Sequence, residues 1–247
     1  MRREFARQAE AYARSPAVSR PELVEWLLRL TGVEAGASVL DVACGPGHVI
    51  LALARHGCRA TGVDLTPETL RVARRRAVEL GHGARLACGH VTALPFLDRT
   101  FDLCVCRSAF HHFEDPAAAL REMSRVTRRG GRVATLDHTT SERGAEAAWH
   151  DRVERLRDPS HAACLSPGRW HRLYSGAGLT PDREEAAAYP FDFGEWYERA
   201  FQGPEIRGEV ESLLLAHPHG GVPGLRLLSR DPLTLQFDFL ALSAPID

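Results

Sequence analysis

Two aspartates and two glycines in this sequence are spaced to bind a ligand that carries positive charge. Asp41, Gly45 and Gly47 lie within one short segment, and Asp64 follows 23 positions after Asp41. Glycine lets the backbone come close to a ligand. Asp41 would repel a pyrophosphate but suits ammonium and sulfonium groups, and Asp64 suits the diol of a ribose. S-adenosylmethionine (SAM) has all of these groups, so the pattern predicts a SAM site.

Three histidines are candidates for proton transfer. His111 and His112 are adjacent, and His138 lies further along the chain. Histidine titrates near neutral pH and is the usual side chain for general acid–base chemistry. Because adjacent side chains diverge, we expect only one of the pair to face a substrate, with His111 favoured. The alternative is that neither does, and that one caps local backbone while the other packs. His138 is the second candidate base.

The predicted elements bring these residues to one edge of a sheet. An apolar run over 39–43, a glycine turn over 44–47, an Ala-rich helix over 48–56 and a second apolar run over 60–64 form a βαβ unit. Further strands are predicted over 85–89, 101–107 and 132–137. Open α/β sheets bind ligands beyond the carboxyl ends of their strands, which is where the three histidines would lie.

The segment over 39–47, Val-Leu-Asp-Val-Ala-Cys-Gly-Pro-Gly, resembles motif I of the class I SAM-dependent methyltransferases. The similarity is greatest to the small-molecule branch that includes the ubiquinone/menaquinone-biosynthesis methyltransferases. It continues in the expected order through 62–67, 93–96, 101–102, 111–116 and 125–131. The resemblance implies methyl transfer from SAM to a small-molecule acceptor, with S-adenosylhomocysteine (SAH) as the product. It also implies an α/β, Rossmann-like fold with a seven-stranded, mostly parallel sheet, helices on both faces and an antiparallel final strand.

The predicted cofactor contacts follow these motifs. They are Tyr12, Asp41, Ala43, Gly45, Gly47, Asp64, Leu65, His90, Val91 and Arg107. In the family a leading helix closes over the cofactor, and an aromatic residue at the Tyr12 position often lines the site; Tyr12 could instead only pack the helix down. Related enzymes carry Asp at the position of His90, where it accepts a hydrogen bond from the adenine amine. A neutral imidazole could accept that bond, or it could leave the adenine to the backbone amide of Val91.

We predict one domain over residues 1–247. Residues 1–30 would form an N-terminal helical cap, and residues 139–178 would form a helical lid of the kind that shapes the acceptor pocket in related enzymes. The segment 217–224, with its glycines and prolines, is predicted to be a loop.

Composition excludes several other classes of function. The net charge of −1 gives no electrostatic footprint for nucleic acid or a membrane surface. All basic residues are arginine, and the missing lysine amine excludes Schiff-base chemistry and a Walker-type phosphate loop. The six cysteines form no paired C-x-x-C set, so we predict no metal site and free thiols in a reducing cytoplasm. No apolar run approaches a membrane span.

Other functions stay open at this point. The fold could bind SAM for non-methylating chemistry such as cyclisation or decarboxylation. A nicotinamide dehydrogenase is disfavoured because the G-x-G-x-x-G spacing is missing, and a nucleic-acid methyltransferase is disfavoured by the charge. The acceptor is not specified, nor is the choice between a monomer and a homodimer.

Overall fold

A computed structural model describes residues 2–81, 83, 85–200 and 202–247 of the chain. Three helices precede the sheet: α1 (Arg2–Arg14), α2 (Pro16–Ser19) and α3 (Pro21–Thr31). Proline opens both α2 and α3, where its missing N–H costs nothing. Gly32 ends α3 in the left-handed conformation at a φ of 63°.

The first half of the sheet follows the predicted βαβ pattern. Its elements are β1 (Ser38–Val42), α4 (His48–Arg55), β2 (Arg59–Asp64), α5 (Pro67–Glu79), β3 (Arg85–Cys88), β4 (Phe101–Arg107), α6 (Pro116–Val126) and β5 (Thr127–His138). A single turn of 3₁₀ helix, Phe110–His112, follows β4. The strand β5 begins earlier than the predicted residue 132, because Thr127 already pairs with Phe101 before a register shift. The predicted βαβ unit and the strands predicted over 85–89 and 101–107 are confirmed, and β3 connects to β4 without a helix.

The second half is less regular. It contains α7 (Gly144–Arg157), α8 (Pro167–Gly176), β6 (Arg183–Asp192), α9 (Phe193–Glu198), α10 (Pro204–Ala216), β7 (Gly221–Val222), β8 (Leu225–Arg230) and β9 (Leu233–Pro245). The predicted loop over 217–224 therefore holds the short strand β7, and β8 follows at once. Within the ranges described, no helix has both the length and the apolar character needed to cross a membrane.

The sheet has nine strands, so the predicted number of seven is wrong. Strands β3, β2, β1, β4 and β5 are parallel in that order, and β9 pairs antiparallel to β5 as predicted. The remaining pairings, β6 with β9, β8 with β9 and β7 with β8, are also antiparallel. The sheet is thus mixed rather than mostly parallel.

The long strand β9 explains the two extra strands. One edge of β9 pairs with β6 from Thr234 to Ser243. Its other edge pairs with β5 from Phe239 to Pro245 and with β8 from Leu233 to Phe237. Because β9 extends beyond the carboxyl end of β5, the β7–β8 hairpin can add to the overhanging part.

Two apolar clusters cover the two faces of the sheet, in accord with the predicted layers. Strand residues alternate between them: Leu103 and Val105 belong to one cluster, and Cys104 and Cys106 belong to the other. Helices α3, α4, α7, α9 and α10 contribute to the first cluster, and α6 and α8 contribute to the second. Burial on both faces leaves the carboxyl edge of the parallel strands as the place where polar side chains gather.

Candidate active site

The glycine turn between β1 and α4 has the backbone that its sequence predicts. Ala43, Gly45 and Gly47 have positive φ values of 55°, 52° and 86°. A Cβ added to Gly45 would meet no atom within 4 Å, whereas one added to Gly47 would lie 3.2 Å from Cβ of Ala73. Gly45 therefore borders open space at the turn, and Gly47 lets α4 begin close to α5. Gly47 is the one predicted cofactor contact that does not line the cavity described below.

Asp41 at the mouth of this turn is buried and incompletely bonded. Its Oδ2 has no hydrogen-bond partner among the described residues. Burial raises the pKa of this carboxyl to about 8, although the positive charge of Arg107 opposes the shift. Arg107 reaches across to α2, where its Nη2 donates to the carbonyl of Val18 at 2.7 Å. A buried acid with an unused oxygen fits a ligand ammonium group.

Asp64 lies at the carboxyl end of β2 and fixes the two neighbouring loops. Its Oδ2 accepts a hydrogen bond from the amide of Gly45 at 2.9 Å, and its Oδ1 accepts one from the amide of Thr66 at 2.9 Å. The pKa of Asp64 is raised, because the effect of burial exceeds the opposing effect of the two backbone hydrogen bonds. Leu65 follows on the cavity wall. Each carboxylate oxygen keeps further acceptor capacity, which a ribose diol could use.

His90 is exposed, and it bonds within its own loop. Its Nδ1 lies 2.7 Å from the hydroxyl of Thr92 and 3.3 Å from the backbone nitrogen of Thr92. Both groups donate, so the network assigns the lone pair to Nδ1 and, in the neutral ring, the proton to Nε2. In this conformation Nε2 is a donor and cannot accept from an adenine amine. The amide of Val91, also on the cavity wall, remains beside it.

Helix α1 forms part of the cavity wall. Phe5, Ala9 and Tyr12 line the cavity, and the ring of Phe5 contacts His112 edge-on, with 4.9 Å between ring centroids. The carbonyl of Tyr12 lies 3.2 Å from Nε2 of His48. The structure therefore places the predicted leading helix over the glycine turn.

The three candidate bases meet beyond β4 and β5. Nδ1 of His111 lies 2.8 Å from Oδ1 of Asp137, and the ring of His138 lies 4.2 Å from that of His111. His112 turns aside, since its Nδ1 lies 3.1 Å from the carbonyl of Ser160. All three histidines line the cavity. His111 bonds a carboxylate and His112 bonds backbone, but both rings line the cavity, so it stays a prediction that only one of the pair faces a substrate.

Burial and neighbouring charges determine the protonation of Asp137 and the three histidines. Asp137 has a pKa well below its usual value: burial raises it, but the two imidazoles outweigh burial. Burial lowers the pKa of His111 and, with the neighbouring imidazole, lowers that of His112 to about 3. For His138, burial is outweighed by Asp137, and the pKa is raised. The carboxylate is therefore ionised, and Nδ1–H of His111 donates to it.

The far wall of the cavity contains residues that the sequence analysis missed. The polar residues of this wall are Glu154 and Arg157 on α7 and Arg199 after α9. Four aromatic side chains complete the wall: Phe191, Trp196, Phe237 and Phe239. The spacing of Glu154 and Arg157, three apart on one helix, was an available signal. The others come together only through β6, α9 and β9.

One cavity of about 610 Å³ joins the glycine turn to this wall. Its size is within the range of pockets for cofactors and small molecules. The site is at the carboxyl edge of parallel strands, with a positive-φ turn, a buried acid and a second acid at the end of the next strand. Fold and site together define a nucleotide-cofactor-binding α/β enzyme.

Comparison with known proteins specifies the family. A family model described as a methyltransferase domain matches residues 40–135. The chain is 32% identical over 196 residues to the uncharacterised methyltransferase YcgJ of Bacillus subtilis (strain 168), an alignment that covers 79% of this chain and 78% of that protein. The crystal structure of YcgJ superposes with a TM-score of 0.83 at 26% identity, covering 91% of this chain and 97% of that chain. The chain belongs to the SAM-dependent methyltransferases.

Two further matches show how far similarity extends. A ubiquinone biosynthesis O-methyltransferase of Aeromonas salmonicida (strain A449) is 34% identical over 116 residues, which is 46% of this chain and 48% of that protein. The chain thus spans about half of that relative. The [4+2]-cyclase SpnF shares the fold, with a TM-score of 0.67 at 19% identity over 93% of this chain and 80% of that chain.

Proposed function

We propose that this methyltransferase acts on a small aromatic or extended apolar acceptor that carries a hydroxyl group or an acidic carbon. The observation that supports this is the cavity of about 610 Å³, which runs from the glycine turn to a wall with four aromatic side chains. A chamber of this size suits a small molecule better than a folded macromolecule. The similarity to a ubiquinone biosynthesis O-methyltransferase agrees with an aromatic hydroxyl acceptor.

The proposed cofactor contacts divide the cavity into two parts. Asp41 would hold the ammonium group, Asp64 the ribose diol, and Leu65 and Val91 the adenine. SAM supplies an activated methyl group on its sulfonium when bound. The unused Oδ2 of Asp41 fits this cofactor. The rest of the cavity, from His111 to Trp196, would receive the acceptor.

His111 is the proposed base. Asp137 accepts from Nδ1–H, so the lone pair of the neutral ring is on Nε2, which has no hydrogen-bond partner among the described side chains. This arrangement orients the imidazole to take a proton from an acceptor hydroxyl. Positioning of the acceptor is expected to lower the activation free energy by about 7–11 kcal/mol. A general base is expected to raise the rate by a further factor of about 10²–10⁴.

The test is methyl transfer to a panel of phenols and quinols, measured as SAH formation by wild type and His111→Gln. We expect turnover by the variant to fall about 10²–10⁴-fold while affinity for SAH changes less than about threefold. His219→Gln, an exposed histidine distant in sequence, is the matched control and should behave as wild type. Equal turnover in His111→Gln would contradict the assigned base. Product formation without SAH would instead identify non-methylating chemistry.

A further inference from the structure

A group of potential metal ligands includes His138, one of the histidines that line the cavity. His138 ends β5, His150 and Glu154 lie one turn apart on α7, and Cys164 is in the segment between α7 and α8. One nitrogen of each imidazole and Sγ of Cys164 lie within 4.8 Å of one another. His150 and Cys164 are completely buried, and His138 is 8% exposed. No metal site is predicted from the sequence, because the cysteines form no paired C-x-x-C set, and these three residues are more than ten positions apart.

The free atoms of these side chains point to a ligand. Nε2 of His138 is buried and has no hydrogen-bond partner in the described part of the chain. Nε2 of His150 faces Sγ of Cys164 at 3.9 Å, a long and weak contact. A buried imidazole nitrogen without a partner is rare and needs an explanation.

The opposite ring nitrogens are already fixed by polar partners. Nδ1 of His138 lies 3.2 Å from Oδ1 of Asp137, and Nδ1 of His150 lies 3.1 Å from the hydroxyl of Thr140. Metal-binding histidines nearly always carry such an outer contact, which sets the tautomer and leaves Nε2 for the metal. These contacts leave Nε2 of both histidines available to a metal.

We propose that His138, His150 and Cys164 form a binding site for a divalent transition metal of the zinc class. Two imidazoles and a thiolate are ligands that zinc prefers, and magnesium does not. Ligand atoms of a tetrahedral zinc site lie about 3.3–3.6 Å apart, so closing the present separations needs side-chain shifts of roughly 1 Å. Binding forms two metal–nitrogen bonds and one metal–sulfur bond, and the Cys164 thiol releases its proton to solvent.

The proposed site borders the cavity through His138. His138 and Glu154 line the cavity, and Oε1 of Glu154 is 3.9 Å from Nε2 of His138. A metal can therefore enter from the cavity, and the buried carboxylates of Asp137 and Glu154 favour a cation there. Three protein ligands with one open position are typical of zinc sites that bind a water or a substrate oxygen. Action on an acceptor oxygen would rest on the proposed function; metal binding itself does not.

The test uses the full chain, with any purification tag removed and bound metal stripped by chelator. Cobalt(II) is titrated in the absence of SAM and acceptor, and absorption is recorded. We expect one equivalent to bind with thiolate-to-cobalt charge-transfer absorption and to be displaced by zinc. Absence of stoichiometric binding, or binding without thiolate absorption, would overturn the site.

Variants identify the ligands independently of activity. Cys164→Ser should abolish the charge-transfer absorption, and His150→Gln should weaken cobalt binding by more than about 10-fold, since loss of an outer-shell partner alone costs about that much. Cys88→Ser, which changes an exposed cysteine outside the site, should retain both signals. SAH binding by each variant reports that it is folded. Charge-transfer absorption that persists in Cys164→Ser but is lost in Cys88→Ser would reject the proposal and assign the metal to the surface thiol.

Discussion

At the scale of single residues, the two aspartates beside the glycine turn, Asp41 and Asp64, have different environments. Asp64 accepts backbone hydrogen bonds through both oxygens, whereas Asp41 has an unused oxygen. The difference arises because β1 is a central strand whose Asp41 is 2% exposed, while Asp64 ends β2 and reaches two loop amides. An uncompensated buried carboxyl is costly when ionised, and a bound cation would remove that cost.

We predict that binding of SAH releases a proton from Asp41. The pKa of the free carboxyl is about 8, and an ammonium group beside it lowers this value. Because the bound state then holds fewer protons below pH 8, affinity should rise as pH increases towards 8. Calorimetry at pH 7 in buffers of different ionisation enthalpy measures the release. The Asp41→Asn variant should bind SAH more weakly and release fewer protons on binding. The Asp98→Asn variant, which changes a surface residue, should match wild type in both.

At the scale of elements, α1 is attached to the site through a histidine bridge. Nε2 of His48 lies 3.2 Å from the carbonyl of Tyr12, and its Nδ1 lies 3.2 Å from Nη2 of Arg76. A neutral ring satisfies both, donating to the carbonyl and accepting from the guanidinium. Burial and the charge of Arg76 lower the pKa of His48 to about 3.

This bridge predicts a loss of stability in acid. The folded pKa of about 3 lies below the unfolded value of about 6.5, so the unfolded chain takes up the proton first as pH falls. The free energy of unfolding should therefore decrease from pH 6.5 downwards, by up to about 2 kcal/mol at pH 5 from this group. Urea unfolding at pH 7 and pH 5 measures it. His48→Gln keeps a donor and an acceptor without titrating, and an equally large loss in that variant would contradict the assignment.

Local patterns were sufficient to predict the first half of the sheet but not the second. Each βαβ unit has its own signals, such as the glycine turn, Pro67 at the start of α5 and Asp115 as the cap of α6. By contrast, β7 has two residues, Gly221 and Val222, and exists because β8 pairs with the overhang of β9. That overhang depends on where β5 ends, which no local pattern specifies.

The same distinction applies to the site. The predicted cofactor contacts lie mostly in motifs at strand ends, and all but Gly47 line the cavity. Arg199 and Trp196 could not be predicted, since they reach the cavity only after β6 has paired with β9. His90 lines the cavity as predicted for a cofactor contact, but its hydrogen bond to Thr92 was not predicted, because that bond depends on a side-chain rotamer.

At the scale of the whole molecule, ligand binding and folding are linked through the cavity. Residues from α1, β2, β4, α7 and β9 all line it, so a ligand contacts distant parts of the chain at once. A ligand that binds only the folded state stabilises it by about 2.7 kcal/mol at a concentration of 100 Kd.

We therefore predict that SAH at 100 Kd raises Tm by about 5–11 °C, given a shift of roughly 2–4 °C per kcal/mol for a chain of this size. NAD at the same concentration should leave Tm unchanged, because the glycine turn lacks the G-x-G-x-x-G spacing that binds a dinucleotide pyrophosphate. Differential scanning calorimetry measures both. A comparable shift with NAD would contradict the cofactor specificity, and two separate transitions would contradict the predicted single domain.

The position of β9 also constrains the order of events during synthesis. β9 lies between β5 and β6, although it is translated after both. A nascent chain that ends before Leu233 lacks the strand that joins these two, and the aromatic wall then lacks Phe237 and Phe239. Pairing of β5 with β9 joins positions 132 and 245, a large separation that slows folding. On the ribosome, the parallel half of the sheet can form early, but the aromatic wall of the cavity is completed only after β9 has emerged.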